Sequence, residues 1–246
     1  MTDYRLLPAG DTALTVEFGD RIDRQLSNLV LALARCLTEA NITGVVECVP
    51  TFRSLTVYYD PLLLPYGVLR ARIARLMQGL HATDVAGRHW RLPVCYDESV
   101  APDLGDVAAR TNLTPAQVIE RHSALTYHVY MLGFLPGQPY MGDVPNELAL
   151  PRRQAPRMKI PAGSLAIAMT MTCIFPSETP CGWHLIGRCP VPLWDFRSDG
   201  STPLLQPGDK VGFMPVSLAE FEGLVAKAAD GQLVATPCDD VRDAAA

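Results

Sequence analysis

The sequence lacks the short motifs that most often identify a metal or nucleotide site. It contains no HExxH pattern, no CxxC pair, no GxxxxGKS/T loop and no GxGxxG loop. The first two patterns place zinc ligands at a spacing that one ion can bridge, and the last two hold phosphate groups on backbone N–H donors. We therefore expect no metal site in this chain and no nucleotide held by a standard loop of its own.

Positive charge and long apolar segments are also scarce. Lysine and arginine total 21 against 26 aspartates and glutamates, so the formal net charge is -5. This balance argues against a general nucleic-acid-binding protein, because neutralising phosphates requires a basic surface. No apolar run approaches the length that spans a bilayer, and the N-terminal MTDYRLLPAGD has no signal-peptide pattern. We expect neither a nucleic-acid partner nor a membrane span.

Cysteine is present, but its pattern does not indicate disulfides. The seven cysteines are scattered and odd in number, whereas a secreted disulfide framework has a dense and even set. A reducing compartment therefore fits better, and we predict a cytoplasmic protein. Cys173, Cys181 and Cys189 share an eight-residue spacing, which we interpret as strand length, since buried cysteine behaves as a small apolar residue.

The composition is sufficient to build a folded core. Hydrophobic residues make up 48% of the 246 residues and charged residues 19%, enough for one large domain or two modest ones. Through about residue 82 the apolar pattern changes between periods of two and of three to four, in the order β-β-α-β-β-α. This order predicts an α+β domain over residues 1–82 with a ferredoxin-like sheet whose strands are permuted. Residues 83–89 are predicted to be a linker.

The second part of the chain has the texture of a β-barrel or sandwich. Short apolar runs alternate with proline and glycine from Leu125 to Pro215, as in closed antiparallel folds. Capping boxes at Thr114 and Ser217 predict the starts of two helices. We predict a β-barrel domain with short helices over residues 90–235, followed by a frayed tail at 236–246.

The densest polar feature is the segment PRRQAPRMK at residues 151–159. It contains Arg152, Arg153, Arg157 and Lys159 between stiffening prolines. Guanidinium groups on a rigid loop suit the bidentate capture of a carboxylate, carbonate or phosphate. A solvated basic loop that pairs with nearby acids is the competing interpretation.

Two further residues have both a functional and a structural interpretation. Ser164 follows the sequence Pro-Ala-Gly, where backbone N–H groups can face an oxyanion, but these residues by themselves favour a tight turn before a strand. His122 lies on a predicted helix ahead of the barrel and is able to act as an acid, a base or an orienting group. A histidine held by a backbone carbonyl is the alternative.

The sequence resembles one protein family along nearly its whole length. The N-terminal segments that match are GDTALTVEFGD (10–20), GVVECVP (44–50) and SLTVYYDP (54–61). The C-terminal segments are GFLPGQPYMGD (133–143), LALPRRQAPRMKIPAGSLAIA (148–168), IFPSETPCGWHLIGRCPVPLWD (174–195) and LLQPGDKVGFMPV (204–216). They resemble the family that contains the B subunit of 5-oxoprolinase, the kinase inhibitor KipI, allophanate hydrolase subunit 1 and half of the carboxyltransferase region of urea carboxylase.

The resemblance implies a fold, an assembly and a set of site residues. The fold is a small α+β domain followed by a cyclophilin-like β-barrel. The assembly contains a KipA-like protein, the family's C subunit, which shares the site, and a LamB/YcsF-like protein, the family's A subunit. It opens the lactam of 5-oxoproline with ATP, and this chain alone holds no cofactor. Catalytic roles are expected for His122, Arg153 and Ser164. The expected substrate-binding residues are Tyr140, Arg152, Arg157, Trp183 and Arg188.

The sequence departs from the family pattern at several positions near these residues. Met171 stands where relatives have a glutamine, Cys173 and Cys181 stand where they have glycine, and Gln138-Pro139 replaces Phe-Ala. A change of substrate is one expectation, since losing a positioned amide alters recognition strongly. Two other functions stay open: a KipI-type inhibitor of a sensor histidine kinase, and a carboxyl-transfer partner in a biotin-dependent system like urea carboxylase.

Overall fold

Residues 3–82, 87–194 and 202–238 are described by a computed structural model. The chain divides into two units, residues 1–86 and 87–246, here called the N-terminal unit and the barrel unit. Of the predicted linker at 83–89, residues 83–86 lie outside the described residues, and His89 is the first residue of a strand. No helix in the described ranges is both long and apolar enough to cross a membrane.

The N-terminal unit is a four-stranded antiparallel sheet with two helices, in the predicted order β-β-α-β-β-α. The strands lie side by side in the order β1-β2-β4-β3. The elements are β1 (Arg5–Pro8), β2 (Ala13–Glu17), α1 (Arg24–Glu39), β3 (Val45–Pro50), β4 (Ser54–Tyr59) and α2 (Tyr66–Met77). The prediction of a small α+β sheet with helices is confirmed.

Helix α1 shows how local sequence sets these elements. Asp23 caps its start by accepting hydrogen bonds from the backbone N–H groups of Gln25 and Leu26, which satisfies donors that have no partner within the helix. Its apolar stripe, with Val30 and Leu33 fully buried, packs into the core of the unit. After the helix, Asn41 adopts a positive φ of 42°, and the chain turns toward β3.

The barrel unit closes seven strands into a ring. Around the ring the order is β12-β9-β10-β7-β6-β13-β5, and a pairing of Arg188 with Cys95 joins β12 back to β5. The pairings are antiparallel except for β13 with β5, which are parallel. The ring strands are β5 (His89–Cys95), β6 (Thr126–Leu132), β7 (Pro139–Gly142), β9 (Ser164–Ala168), β10 (Met171–Ile174), β12 (His184–Arg188) and β13 (Lys210–Val216). This confirms the predicted β-barrel.

Helices and short strands surround the ring. The remaining elements are α3 (Leu104–Thr111), α4 (Pro115–Ser123), a 3-10 turn (Asn146–Leu148), β8 (Arg157–Ile160), β11 (Thr179–Cys181), α5 (Leu218–Ala229) and β14 (Thr236–Cys238). The predicted capping boxes at Thr114 and Ser217 are both present. The predicted frayed tail is wrong at its start, because Thr236–Cys238 pair with β5 as a further strand; residues 239–246 lie outside the described residues.

His122 lies inside the barrel within a directed chain of hydrogen bonds. Its Nε2 is 3.1 Å from Thr172 Oγ1, and that hydroxyl donates to the carbonyl oxygen of Ala166. Since the Thr172 proton is used there, Nε2–H must donate to Thr172, and Nδ1 must accept from the Tyr96 hydroxyl at 3.0 Å. The imidazole also stacks on Phe213 at 5.0 Å. Every polar atom of this ring is therefore used, and the ring is held neutral.

Burial of His122 makes the stability of the barrel depend on pH. Desolvation lowers the pKa of His122 to about 3 in the folded chain, whereas in the unfolded chain it is about 6.5. Between these values the unfolded state binds a proton that the folded state does not. We therefore expect this group to reduce the free energy of unfolding by up to about 1.4 kcal/mol for each pH unit below about 6.5.

Urea unfolding at a series of pH values between about 3 and 6.5 measures this change in stability, and NMR of the histidine rings reports the protonation of His122. The ring resonances of His122 should not titrate while the chain stays folded, and exposed His81 supplies the reference for a solvent-accessible ring. A His122 resonance that titrates near pH 6.5 (about its unperturbed value) in the folded chain would contradict the buried, neutral assignment.

Candidate functional site

A buried carboxylate, that of Asp103, holds the segment at residues 151–159, here called the arginine-rich loop. Asp103, which directly precedes α3, accepts hydrogen bonds from Arg153 Nη1 at 2.8 Å and from both terminal nitrogens of Arg157 at 2.7 Å. It also accepts one from the backbone N–H of Leu185 at 2.7 Å. Two of the three predicted arginines of the loop thus bind an acid of the same chain. Their charge positions the loop against α3 and β12.

The pKa of Asp103 reflects this environment. Burial by itself raises the pKa of the carboxyl, but the hydrogen bonds from Arg157 and Leu185 and the charges of Arg157 and Arg153 outweigh it and hold the pKa below its ordinary value. Asp103 is therefore ionised at neutral pH. A buried charge of this kind is stable only while its partners stay in place.

The first pocket beside the loop is aromatic and has a volume of about 130 Å³. We call it the aromatic pocket; it is lined by Phe134, Gln138, Tyr140, Arg152, Phe175, Pro180, Cys181, Gly182 and Trp183. The structure thus brings together three of the predicted substrate-binding residues, Tyr140, Arg152 and Trp183. All three come from different segments: β7, the arginine-rich loop and the turn between β11 and β12.

Ring contacts fix the geometry of the aromatic pocket. The Arg152 guanidinium carbon lies 5.9 Å from the centre of the Trp183 ring, and Tyr140 meets the same ring edge-on at 6.0 Å. A guanidinium over an indole gains from the negative face of the ring while its N–H groups stay available to an anion. Arg152 belongs to no ion pair among the described residues, unlike Arg153 and Arg157.

Gln138 contributes a buried amide to the same pocket. It is 1% exposed, and its Oε1 has no hydrogen-bond partner. Its side chain hydrogen-bonds to the thiol of Cys173, so two positions that depart from the family pattern touch each other. The preceding Gly137 has a φ of +74°, a conformation that favours glycine, and this turn directs Gln138 inward. Gln138 was not among the predicted site residues.

The cysteines at this pocket are not activated nucleophiles. Burial raises the pKa of the Cys181 thiol despite the hydrogen bond from the Trp183 backbone N–H, and burial raises the pKa of Cys173 well above its usual value. Both groups therefore stay protonated near neutral pH, and thiols react as thiolates. Cys181 lines the pocket as a small apolar side chain, and Cys173 is fully buried behind it in β10.

A second pocket, of about 410 Å³, is also lined by Arg152. We call it the basic pocket; it is lined by Asp106, Arg110, Pro151, Arg152, Arg153, Gln154, Ala155 and His184. Asp106 and Arg110 come from one face of α3 and form an exposed ion pair at 3.6 Å. The pocket thus combines the arginine-rich loop with a helix and a strand that the sequence did not connect to it.

His184, at the start of β12, is the buried histidine of the basic pocket. Its ring is 1% exposed, and Nε2 is 2.9 Å from the carbonyl oxygen of Pro151. Nδ1 has no hydrogen-bond partner, although Asp106 Oδ2 lies 4.0 Å away. Sequence reasoning missed this residue because a lone histidine in a strand shows neither its burial nor its partners.

Four of the predicted catalytic or binding residues line neither pocket, namely His122, Arg157, Ser164 and Arg188. His122 is enclosed in the barrel with both ring nitrogens hydrogen-bonded, and its catalytic role stays a prediction. Ser164 is 3% exposed and donates its hydroxyl to the carbonyl of Pro161 at 2.7 Å, a geometry that fits the tight-turn interpretation; its catalytic role also stays a prediction. Arg188 donates to the carbonyl of Ala162 and lies over Phe221 at 5.8 Å.

Arg153, predicted to be catalytic, and Arg157, predicted to bind substrate, both donate hydrogen bonds to Asp103. Only Arg153 lines a pocket, and its Nε is buried without a partner. Arg157 uses both terminal nitrogens on Asp103. Within the described part of the chain, no three histidine, cysteine, aspartate or glutamate side chains converge in a way that would hold a metal ion.

Comparisons with known proteins agree with the segments that carry the resemblance. Residues 4–204 match the family model of the carboxyltransferase domain, subdomains C and D. The chain is 39% identical to the B subunit of 5-oxoprolinase from Bacillus subtilis (strain 168), over 89% of this chain and 95% of that protein.

Solved structures show the same fold in longer chains. The crystal structure of TTHA0988 is 35% identical with a TM-score of 0.74, and the match covers 83% of this chain but 40% of that one. The Kluyveromyces lactis urea amidolyase matches with a TM-score of 0.78 at 20% identity, over 96% of this chain and 16% of that one. The second likeness concerns the fold alone.

Asp103→Asn tests whether the Asp103 carboxylate stabilises the fold through its bonds to Arg153 and Arg157. The substitution removes the buried charge and leaves two guanidinium groups without a counter-ion, so we expect it to lower the free energy of unfolding by about 2–3 kcal/mol. Urea denaturation measures the change. Glu178→Gln is the matched control, because its ion pair with Lys159 is exposed and should contribute less than about 1 kcal/mol. Equal stability of the two variants would rule out a special role for Asp103.

Proposed function

Because this chain belongs to the carboxyltransferase family of subdomains C and D and is related over most of its length to the B subunit of 5-oxoprolinase, we propose that it is a non-autonomous subunit of an amidohydrolase of the 5-oxoprolinase type. Its substrate is a small lactam, amide or ureido compound. The proposal rests on the membership together with the chemistry of the aromatic pocket.

The observation that carries the substrate class is the pairing of Gln138 with Arg152 in one pocket. Gln138 Oε1 is a buried acceptor without a donor, and the N–H of an amide or lactam is a donor that suits it. The Arg152 guanidinium offers N–H groups to a carboxylate or to an oxyanion formed at the amide carbon. Trp183 and Tyr140 supply apolar walls for a small ring. A cyclic amide with a carboxylate satisfies all of these groups.

The small size of the aromatic pocket supports a shared site. Its volume of about 130 Å³ is below the range of about 300–1,000 Å³ that is usual for ligand sites. A second chain that covers the pocket would enclose a substrate and exclude water from it. We therefore assign the KipA-like protein as the partner at this surface and a LamB/YcsF-like protein as the third member, with ATP used by the assembled complex.

A cytoplasmic location fits the chemistry of the thiols. All seven cysteines lie within the described residues, and each is a free thiol. Free thiols persist where glutathione and thioredoxin systems keep them reduced. The proposed complex accordingly works in the cytoplasm.

Co-expression tests the proposed assembly. The tagged chain is produced with the KipA-like and LamB/YcsF-like chains of the same genome, and the purified complex is assayed for ATP-dependent hydrolysis of 5-oxoproline. We expect a stable complex with activity that none of its members has alone. Failure to form a complex would refute the proposed assembly. A complex active on another lactam or ureide would keep the function and change the substrate.

The same preparation separates the two alternative functions. Inhibition of a sensor histidine kinase by the chain alone, with no complex formed, would favour the KipI-type function. Co-purification of a biotin carrier and a carboxylase would favour carboxyl transfer.

Gln138→Met tests the recognition of the amide. Methionine keeps the length of the side chain but removes the acceptor, so a bound N–H loses its partner, and we expect kcat/KM of the complex to fall about 10- to 100-fold. Because Oε1 has no partner within the chain and the bond lost is the one to the Cys173 thiol, a weak hydrogen-bonding group, the urea unfolding midpoint should stay close to that of the parent. Val225→Met, at an exposed position of α5, is the control. An unchanged kcat/KM in a folded Gln138→Met variant would remove Gln138 from the site.

A further inference from the structure

We propose that the basic pocket binds a small inorganic oxyanion that carries an O–H group, of the hydrogen phosphate or hydrogen carbonate type. The ligand lies among the side chains of Arg110, Arg152, Arg153 and His184. This proposal concerns the chain by itself and does not depend on the reaction proposed above. It adds a second ligand site beside the aromatic pocket.

The charge of the lining selects an anion. Three arginines line the basic pocket and one aspartate, Asp106, opposes them. Arg153 shares the Asp103 carboxylate with Arg157, and the 3.6 Å pair between Arg110 and Asp106 is exposed on both sides. Surface pairs of that kind are weak and rearrange easily. The pocket therefore keeps a net positive charge that an anion can neutralise.

Polar atoms without partners mark the place of the ligand. Three buried side-chain nitrogen or oxygen atoms lack a hydrogen-bond partner in the described part of the chain, and two of them, Arg153 Nε and His184 Nδ1, belong to residues of this pocket. Buried polar groups in native proteins are nearly always paired. The third, Gln138 Oε1, belongs to the aromatic pocket. An oxyanion in the basic pocket would accept from Arg153 Nε–H.

The tautomer of His184 defines the kind of oxyanion. Pro151 offers a carbonyl oxygen to Nε2 at 2.9 Å, and a carbonyl only accepts, so Nε2 carries the proton. In the neutral ring Nδ1 then has a lone pair and requires a donor. The carboxylate beside Nδ1, Asp106 Oδ2 at 4.0 Å, is itself an acceptor. Hydrogen phosphate and hydrogen carbonate each bring one O–H donor, whereas sulfate and the dianion of a phosphate monoester bring none.

The same chemistry separates a free ion from a phosphate group on a larger molecule. The volume of about 410 Å³ admits either one, so size does not distinguish them. Above the second pKa of phosphate, an inorganic phosphate retains one proton and a monoester retains none. The donor required at His184 Nδ1 therefore favours the free inorganic ion.

Isothermal titration calorimetry of the full chain tests the site at about pH 8, where inorganic phosphate retains one proton. The titrants are sodium phosphate, sodium hydrogen carbonate, sodium sulfate and methyl phosphate at equal ionic strength. We expect phosphate and hydrogen carbonate each to bind about tenfold or more tightly than sulfate and methyl phosphate, because only the first two ions bring an O–H group to Nδ1. Equal binding of phosphate and sulfate, or no binding of phosphate, would overturn the proposal.

Three variants connect the binding to the pocket. His184→Leu removes the acceptor at Nδ1, so the preference for phosphate over sulfate should disappear, and urea unfolding checks that the variant is folded. Arg110→Gln should weaken both anions about tenfold or more. Arg72→Gln, an exposed arginine of the N-terminal unit, is the matched control and should change neither. Phosphate binding that is unaltered in Arg110→Gln or in a folded His184→Leu variant would place the anion elsewhere and refute the site.

Discussion

Both pockets depend on the hydrogen bonds that the buried Asp103 carboxylate accepts. It receives four hydrogen bonds, from Arg153, from Arg157 twice and from the backbone of Leu185. These donors belong to the arginine-rich loop, to β8 and to β12, while Asp103 itself precedes α3. One buried charge thus joins three parts of the chain that are distant in sequence, around Asp103, around Arg153 and Arg157, and around Leu185. The positions of Arg152, His184 and Arg110 follow from that arrangement.

The helices were predictable from sequence because their causes are local. The stripe of α1 and the capping boxes at Thr114 and Ser217 each depend on residues that are close together in the sequence. Long-range pairings were not predictable in this way. The closure of the ring between Arg188 and Cys95, and the addition of Thr236–Cys238 to β5, depend on register between remote segments. Local pattern does not encode such register.

The candidate site was predictable in place but not in detail. Arg152, Arg153 and Arg157 are alike in sequence, yet the last two bind an acid 50 and 54 residues away, and only Arg152 faces the aromatic ring of Trp183. The two histidines differ in the same manner. His122 is bonded at both ring nitrogens, while His184 is bonded at one. A structural residue has all its polar atoms paired within the chain, whereas a candidate ligand-binding residue keeps an unpaired one. Only the tertiary structure shows which of the two applies.

The position of Arg152 makes the two pockets interdependent. Arg152 lines both of them, so an anion bound in one proposed site would neutralise part of the charge that attracts an anion to the other. Such an effect is a coupling free energy, and it is reciprocal: each ligand changes the affinity of the other by the same factor. Under the two proposals above, the shared side chain would make the neighbouring anions antagonists, without any change in backbone conformation.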